Sequence, residues 1–213
     1  MAFKREPEMA KARQRQRDRR QEILDAAAAV ITERGLADTR IQDIAERCGV
    51  SPGLILYYFE SKDRLLVEAL THANDTFYLR VAREMRRLPS AKERMTRMIE
   101  LSVPGLLPEY SLLDEWALWV EIWVRALRDP QIAKEREALD RRWVQSLADI
   151  IRYGRQTGEF PGNGHDPDDL ALQLGAVMDG LAIQVLLNDT AMTPTRMQQI
   201  VTDAATRLIG YEA

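Results

Sequence analysis

Residues 39–62 read TRIQDIAERCGVSPGLILYYFESK, two short apolar-faced segments joined at a glycine. Ile41, Ile44, Ala45 and Cys48 fall on one face of a helix. Thr39 stands where that helix needs a cap, and Gln42, three positions on, can reach back in the capping-box pattern. Gly49 follows where the helix must stop, at a left-handed position that penalises any residue with a Cβ. Ser51 is a good N-cap, and Pro52 after it has no N–H to leave orphaned in a first helical turn. Val50 and Ile55 point back at Ala45, whose small side chain lets two helices cross closely. The pattern is a helix-turn-helix, which seats a short helix in the DNA major groove. Helical domains that never touch DNA also contain such corners, so the flanking sequence has to decide.

It continues with Tyr57, Tyr58 and Phe59 closing the second helix, and with Ser61 capping a third that carries Lys62 in its first turn. Residues 20–70 thereby resemble the TetR family of bacterial repressors. The resemblance rests on Ile23, Ala27, Val30 and Ile31 in a leading helix, then Gly35, Thr39, Ile44, Ala45, Gly49, Val50 and Ser51. The aromatic pair before Phe59, then Ser61, Lys62 and Leu65, complete it. Gly53-Leu54-Ile55, with a later tryptophan-rich segment, is most similar to the branch that contains the choline-responsive BetI repressors. The resemblance implies about nine helices, and a pairing of the last two with their copies from a second subunit. The chain departs from the family at Leu56. Most members carry an aromatic or polar residue there, commonly tyrosine, that contacts backbone phosphate; Tyr57 and Lys62 match.

Charge distribution supports a DNA reader where net charge does not. The 213 residues carry a formal charge of −3. Residues 1–20 hold Lys4, Arg5, Lys11, Arg13, Arg15, Arg17, Arg19 and Arg20 against Glu6, Glu8 and Asp18. This basic leader, expected to be disordered alone and ordered on DNA, adjoins the helix-turn-helix, where phosphate attraction would use it. Cys48 is the single cysteine, so no intrachain disulfide is possible, and it reads as a small core residue. No run of about 18 uninterrupted apolar residues and no signal-peptide core is found, so no membrane span and a cytoplasmic location are expected.

Alternating β-branched runs and hairpin turns are absent, which makes the class all-α. The first helix is expected to begin between Lys11 and Arg17 and end at Gly35. A long helix follows from about Lys62 to Arg87, before Pro89. Ser90 and Glu93 form a second capping box, opening a helix that runs to Pro104-Gly105. Ser111 starts another. Asp129-Pro130, Asp166-Pro167 and Thr193-Pro194 are cap-plus-proline openings of three more, the first ending at Thr157-Gly158 and the last at Ile209-Gly210. The division expected is a three-helix DNA-binding domain with its arm over 1–65, and an effector-binding and dimerisation domain over 66–213.

Catalysis is not expected. His72 and His165 are far apart, and no nucleophile triad, metal-ligand spacing or phosphate-cradling loop appears, so no cofactor and no metal are expected. Trp116, Trp119 and Trp123 recur at helical spacing with Leu112 and Val120, a stripe that is either core or the wall of a pocket. Glu115 falls on its flank near Trp119 and Ile122. It either pairs with an arginine such as Arg152 or Arg155, or forms the anionic wall of a site for a cation. The segment 168–187 is apolar nearly all round. Gln173, Val177, Gly180 and Gln184 share one face there, suited to a subunit interface or to burial, with Gly175 and Gly180 permitting close helix approach. Asp179 lies off that face among apolar neighbours, either in a pocket or satisfied by an internal hydrogen bond.

The function these features support is a ligand-responsive transcriptional regulator, a repressor, that binds a palindromic double-stranded DNA operator as a homodimer and is released by a small-molecule effector. Thr39 or Arg40, with Tyr57 and Lys62, would hold phosphates. Pro52, Gly53 and Leu54 would face base edges, with Ser51, Tyr57 and Tyr58 beside them. Glu115, Trp116, Trp119, Trp123 and Asp179 are the effector-site candidates, and an organic cation is the effector they fit. The rival is a helical enzyme or adaptor that uses the helix-turn-helix for protein contact; the basic leader favours the regulator.

Overall fold

Short-range capping divides the chain into helices almost wherever the cap residues stand. The computed structural model describes residues 5–107, 112–162 and 164–210; among them the chain forms nine α-helices and no strand. They are α1 (Arg5–Asp38), α2 (Ile41–Cys48), α3 (Pro52–Phe59), α4 (Lys62–Met85), α5 (Ala91–Leu101), α6 (Leu112–Ala126), α7 (Pro130–Thr157), α8 (Pro167–Leu186) and α9 (Pro194–Ile209). By packing they divide into two compact units, Met1–Phe77 and Tyr78–Ala213. This packing boundary falls inside α4, further along than residue 65, because Leu65, Leu66, Ala69 and Leu70 are all buried in the N-terminal unit.

In that unit the core is Ile23, Ala27, Val30 and Ile31 of α1, Ile44 and Ala45 of α2, and Ile55 and Phe59 of α3. Two expectations need correction. The leader is helical from Arg5. Its alanine, arginine and glutamine residues are good helix formers, and the Gln14 amide donates to Asp18 Oδ1 across one turn at 2.7 Å. Thr39 is not the cap of α2. Gly35 breaks α1 at φ 77°, ψ 163°, and the buried Thr39 hydroxyl donates to the Gly35 carbonyl at 2.7 Å. Arg40 takes the cap position, and its N–H donates to the Asp43 carboxylate at 3.1 Å, so Asp43 rather than Gln42 closes the turn.

The corner itself is as expected. Gly49 is left-handed (φ 64°, ψ 37°). Its N–H donates to Glu46 O and that of Val50 to Ala45 O, the paired bonds of a Schellman ending. Ser51 Oγ then accepts the Leu54 N–H at 3.2 Å and starts α3.

In the C-terminal unit, Ser90 Oγ accepts the Glu93 N–H at 3.1 Å and the Glu93 carboxylate accepts from Ser90 N–H at 3.4 Å, completing the second capping box. Asp129, Asp166 and Thr193 likewise accept N–H groups of the first turns of α7, α8 and α9. α5 stops at Leu101 rather than at Pro104, since the residue before a proline is pushed away from helical backbone. α7, α8 and α9 pack successively, with α5 and α6 against α7. By length and composition α8 could cross a membrane. Its Leu170, Leu174, Met178, Ala182 and Val185 are instead buried.

Candidate DNA-binding and effector sites

α3 presents a small exposed surface. Ile55 and Phe59 turn into the core, which leaves Ser51, Pro52, Gly53, Leu56 and Tyr57 exposed, Leu56 at 42% and Tyr57 at 73%. Leu54, Tyr58 and Lys62 are half-buried. Tyr58 meets Tyr57 edge-on at 5.5 Å, so it supports the outer ring. A Cβ added at Gly53 would meet only Ser51 Oγ, at 4.0 Å; the backbone there is open to close approach. Of the two residues read as alternatives for phosphate contact, Arg40 is exposed while the Thr39 side chain is buried. On α1, Arg15 and Arg17 are exposed. Arg20 is not spare charge, because it pairs with Glu68 and lies over the Phe59 ring at 4.8 Å, tying α1 to α3 and α4.

The turn from α3 to α4 is strained. Ser61 N–H donates to Phe59 O at 2.6 Å across Glu60, whose φ is 63° and ψ −41°. That is the positive-φ γ-turn, rare for any residue with a Cβ. Glu60 pairs with Arg64, and Arg64 with Glu68, at 3.4 and 3.3 Å.

The tryptophan stripe of α6 is neither plain core nor free surface. Trp116, Trp119 and Trp123 are all half-buried, and Trp116 meets Trp123 edge-to-face with ring centres 6.3 Å apart. The Trp123 indole N–H is buried with no hydrogen-bond partner. It is turned toward Asp140 of α7 without closing a bond. Burial raises the Asp140 carboxyl, while Arg136, at 2.5 Å from it, and the indole N–H pull it back. Across from it on α8, burial and the Asp140 charge push Asp179 up to about 6. Among the described residues Asp179 has no hydrogen bond or ion pair. Two aromatic rings, an idle N–H and two carboxylates thus converge from α6, α7 and α8.

Asp140 was missed in sequence. A signal existed: it follows Ile132 and Arg136 at intervals of one turn, on a line of α7 that is buried at its start and half-buried after. The Glu115 side chain lies outside the described residues. Arg152, one of its possible partners, is held by Asp149 and Asp168. Gly175 does not serve a subunit contact, because it is buried, and a Cβ there would meet Val144 and Leu147 of α7 at 4.0 Å. Gln173, Gly180 and Gln184 do stand exposed, with Leu172 and Leu187 beside them. A separate groove of about 600 Å³ opens between α4, α5 and α7, rimmed by Arg94, Arg141 and Arg142, and includes none of the sequence candidates. No group of three metal-ligating side chains occurs among the described residues.

A helix-turn-helix reader joined by α4 to a helical unit with an aromatic and acidic cluster defines a DNA-binding regulator with a sensor. Residues 23–69 match the family model of bacterial regulatory proteins of the tetR family, and residues 91–210 that of the BetI-type transcriptional repressor C-terminal domain. The chain belongs to the TetR family, with a sensor unit of the BetI type. It is 29% identical over 185 residues to the transcriptional regulator BetI of Proteus mirabilis, covering 85% of this chain and 87% of that one. It is similar to the crystal structure of a putative transcriptional regulator from Saccharomonospora viridis in complex with choline, at 35% identity and TM-score 0.77 over 89% of this chain and 96% of that one. A TetR-family regulator from Rhodococcus matches at 28% identity and TM-score 0.74, covering 90% and 98%. The protein is therefore a ligand-responsive transcriptional regulator and not an enzyme, and the rival reading falls.

Proposed function

We propose that the chain is a homodimeric, cytoplasmic repressor released from a palindromic operator by a small organic monocation of the quaternary ammonium type. The observation that carries the effector reading is Asp179, a half-buried carboxylate with no partner among the described residues, close enough to feel the charge of Asp140, toward which Trp123 of the Trp116–Trp123 pair is turned. A buried charge without a counter-ion is costly, and a cation that also lies against aromatic faces offsets that cost. Choline bound to the Saccharomonospora viridis relative supports the same class. Asp140 is already answered by Arg136, which favours one positive charge over a polyamine.

On the DNA side, residues 1–65 act as the reader. Arg40, Tyr57 and Lys62 contact phosphate, while Pro52, Gly53 and Leu54 approach the bases from the start of α3. That surface is small and apolar, so it reads thymine methyls and groove shape more than a hydrogen-bond code. Effector binding favours a spacing of the two recognition helices that misses consecutive major grooves, with α4 as the lever.

The test is fluorescence anisotropy with DNA from upstream of the protein's own gene, at several salt concentrations, with and without choline. Binding should weaken steeply with salt, as phosphate contacts release counterions. Choline should then lower affinity at fixed salt. DNA binding indifferent to choline, together with no heat of choline binding in calorimetry, would reject the effector class.

A further inference from the structure

Among the described residues the cluster brings together two carboxylates, Asp140 and Asp179, and one of them, Asp140, is paired to a cation, Arg136. Asp140 lies one helical turn after Arg136 on α7, and the Arg136 Nη1 to Asp140 Oδ2 contact is 2.5 Å. Asp179 comes from α8 and has no such partner among the described residues. The third wall, α6, turns the buried indole N–H of Trp123 toward Asp140. We infer that Arg136 is the residue that sets the charge of the effector: by neutralising Asp140 it leaves the site suited to a monocation, and without it the same cluster would prefer a dication. The inference rests on the aromatic and acidic cluster being the effector site.

The physical argument compares two ligands of one shape. A monocation reaching Asp179 gains one ion pair against aromatic rings. A second positive charge on the ligand would have to approach Asp140, whose charge Arg136 already answers, and would meet the guanidinium itself. Like charges a few ångströms apart repel by about as much as unlike ones attract, and partial burial leaves them only partly screened. Arg136 and Asp140 side chains are 34% and 36% exposed, so the effect is moderated by water but not removed. With Arg136 neutral, Asp140 and Asp179 repel each other and a dication relieves both. Whatever other carboxylates line the site, the change on removing Arg136 is one unit of charge in the same direction.

The experiment is titration calorimetry on the full chain with a matched pair of ligands, 3-hydroxypropyl-trimethylammonium and (3-aminopropyl)trimethylammonium, alongside choline. Wild type should prefer the hydroxyl compound. Arg136→Gln should move the ratio of the two affinities toward the amine by about tenfold or more. Arg136→Lys should keep the wild-type ratio, since it keeps the charge. Asp140→Asn, leaving Arg136 unanswered, should move the ratio the opposite way, which covers the case in which Arg136→Gln fails to fold. Ratios unchanged in both Arg136→Gln and Asp140→Asn, while wild type binds the compounds, overturn the role of Arg136 and leave the effector site standing. No binding of any of the three by wild type overturns the effector site, and this inference with it.

Discussion

Asp179 is the residue at which the proposed effector site bears on stability. Its carboxyl titrates near 6 in the folded chain, against 3.8 for an ordinary aspartate. Because the folded pKa is raised, the folded chain holds the proton longer than the unfolded chain does. Stability therefore falls as pH rises from about 4 to about 6 and stays reduced above. The difference is at most about 3 kcal/mol, from ~1.4 kcal/mol per pKa step. Asp179→Asn should accordingly raise the melting temperature at pH 7.5, with the gain vanishing below pH ~4, and should weaken choline binding at pH 7.5 but much less at pH 5, where the wild-type carboxyl is mostly protonated. Wild type itself should bind choline less well at pH 5 than at pH 7.5, since the cation needs the ionised form. Melting curves in a pH series and calorimetry at the two pH values check this; an Asn variant no more stable at pH 7.5 would mean that the carboxylate is satisfied. Glu60 offers a second single-residue test. Its positive φ favours glycine, and strain of this kind costs on the order of 1–3 kcal/mol. Glu60→Gly should be more stable than Glu60→Ala by about 1 kcal/mol after the extra unfolded-state entropy of glycine is allowed for. Equal denaturation midpoints for the two would place that turn among unstrained ones.

At the scale of the element, α3 is short, apolar and begun by Ser51 and Pro52, with Gly53 exposed on its first turn. Gly53→Ala has open space and no positive φ to oppose it, so the fold should be unaffected or gain a few tenths of a kcal/mol. Operator affinity should still drop, because the added methyl stands where the backbone would come closest to DNA. Gly53→Glu should nearly abolish binding by adding bulk and negative charge, with the circular dichroism of the wild type. An alanine variant that binds operator as well as wild type would remove Gly53 from the contact surface. Elements were also the most legible scale in the sequence. Cap residues act on N–H groups two or three positions away, so Ser51, Ser90, Asp129, Asp166 and Thr193 could be read directly. Thr39 misled because its donor role depends on the backbone of Gly35, whose non-helical ψ no local pattern states. Glu159 was passed over for a different reason. It accepts the Ala91 and Lys92 N–H groups at 2.9 and 3.1 Å, from far along the chain, and those bonds hold its pKa below the ordinary glutamate value. The proposed effector cluster divides the same way: the tryptophans share one helix and show in its periodicity, whereas Asp140 acquires meaning only from α6 and α8 packed beside α7.

For the whole molecule the decisive question is the second subunit. A palindromic operator requires two recognition helices spaced by a helical turn of DNA, which one chain cannot supply. The outer face of α8 is suited to the task. Leu172 is 59% and Leu187 72% exposed, with Gln173, Gly180 and Gln184 between them. Leucines left this open at both ends of one helix, around a glycine whose Cβ position meets nothing within 4 Å, form an apolar strip that a copy of itself could cover closely. Gly180→Arg should therefore leave each chain folded, since there is space for the side chain in the monomer, while forcing a charge into the contact between copies. Sedimentation equilibrium should show wild type as a dimer and Gly180→Arg as a monomer, at matched helicity. Operator affinity should fall by far more than choline affinity, because the proposed reader needs two copies whereas the proposed effector cluster is assembled from α6, α7 and α8 of one. A variant that remains dimeric with unchanged operator binding would put the interface on another face. A variant that loses choline binding as fully as DNA binding would mean that the substitution disturbs the sensor unit itself.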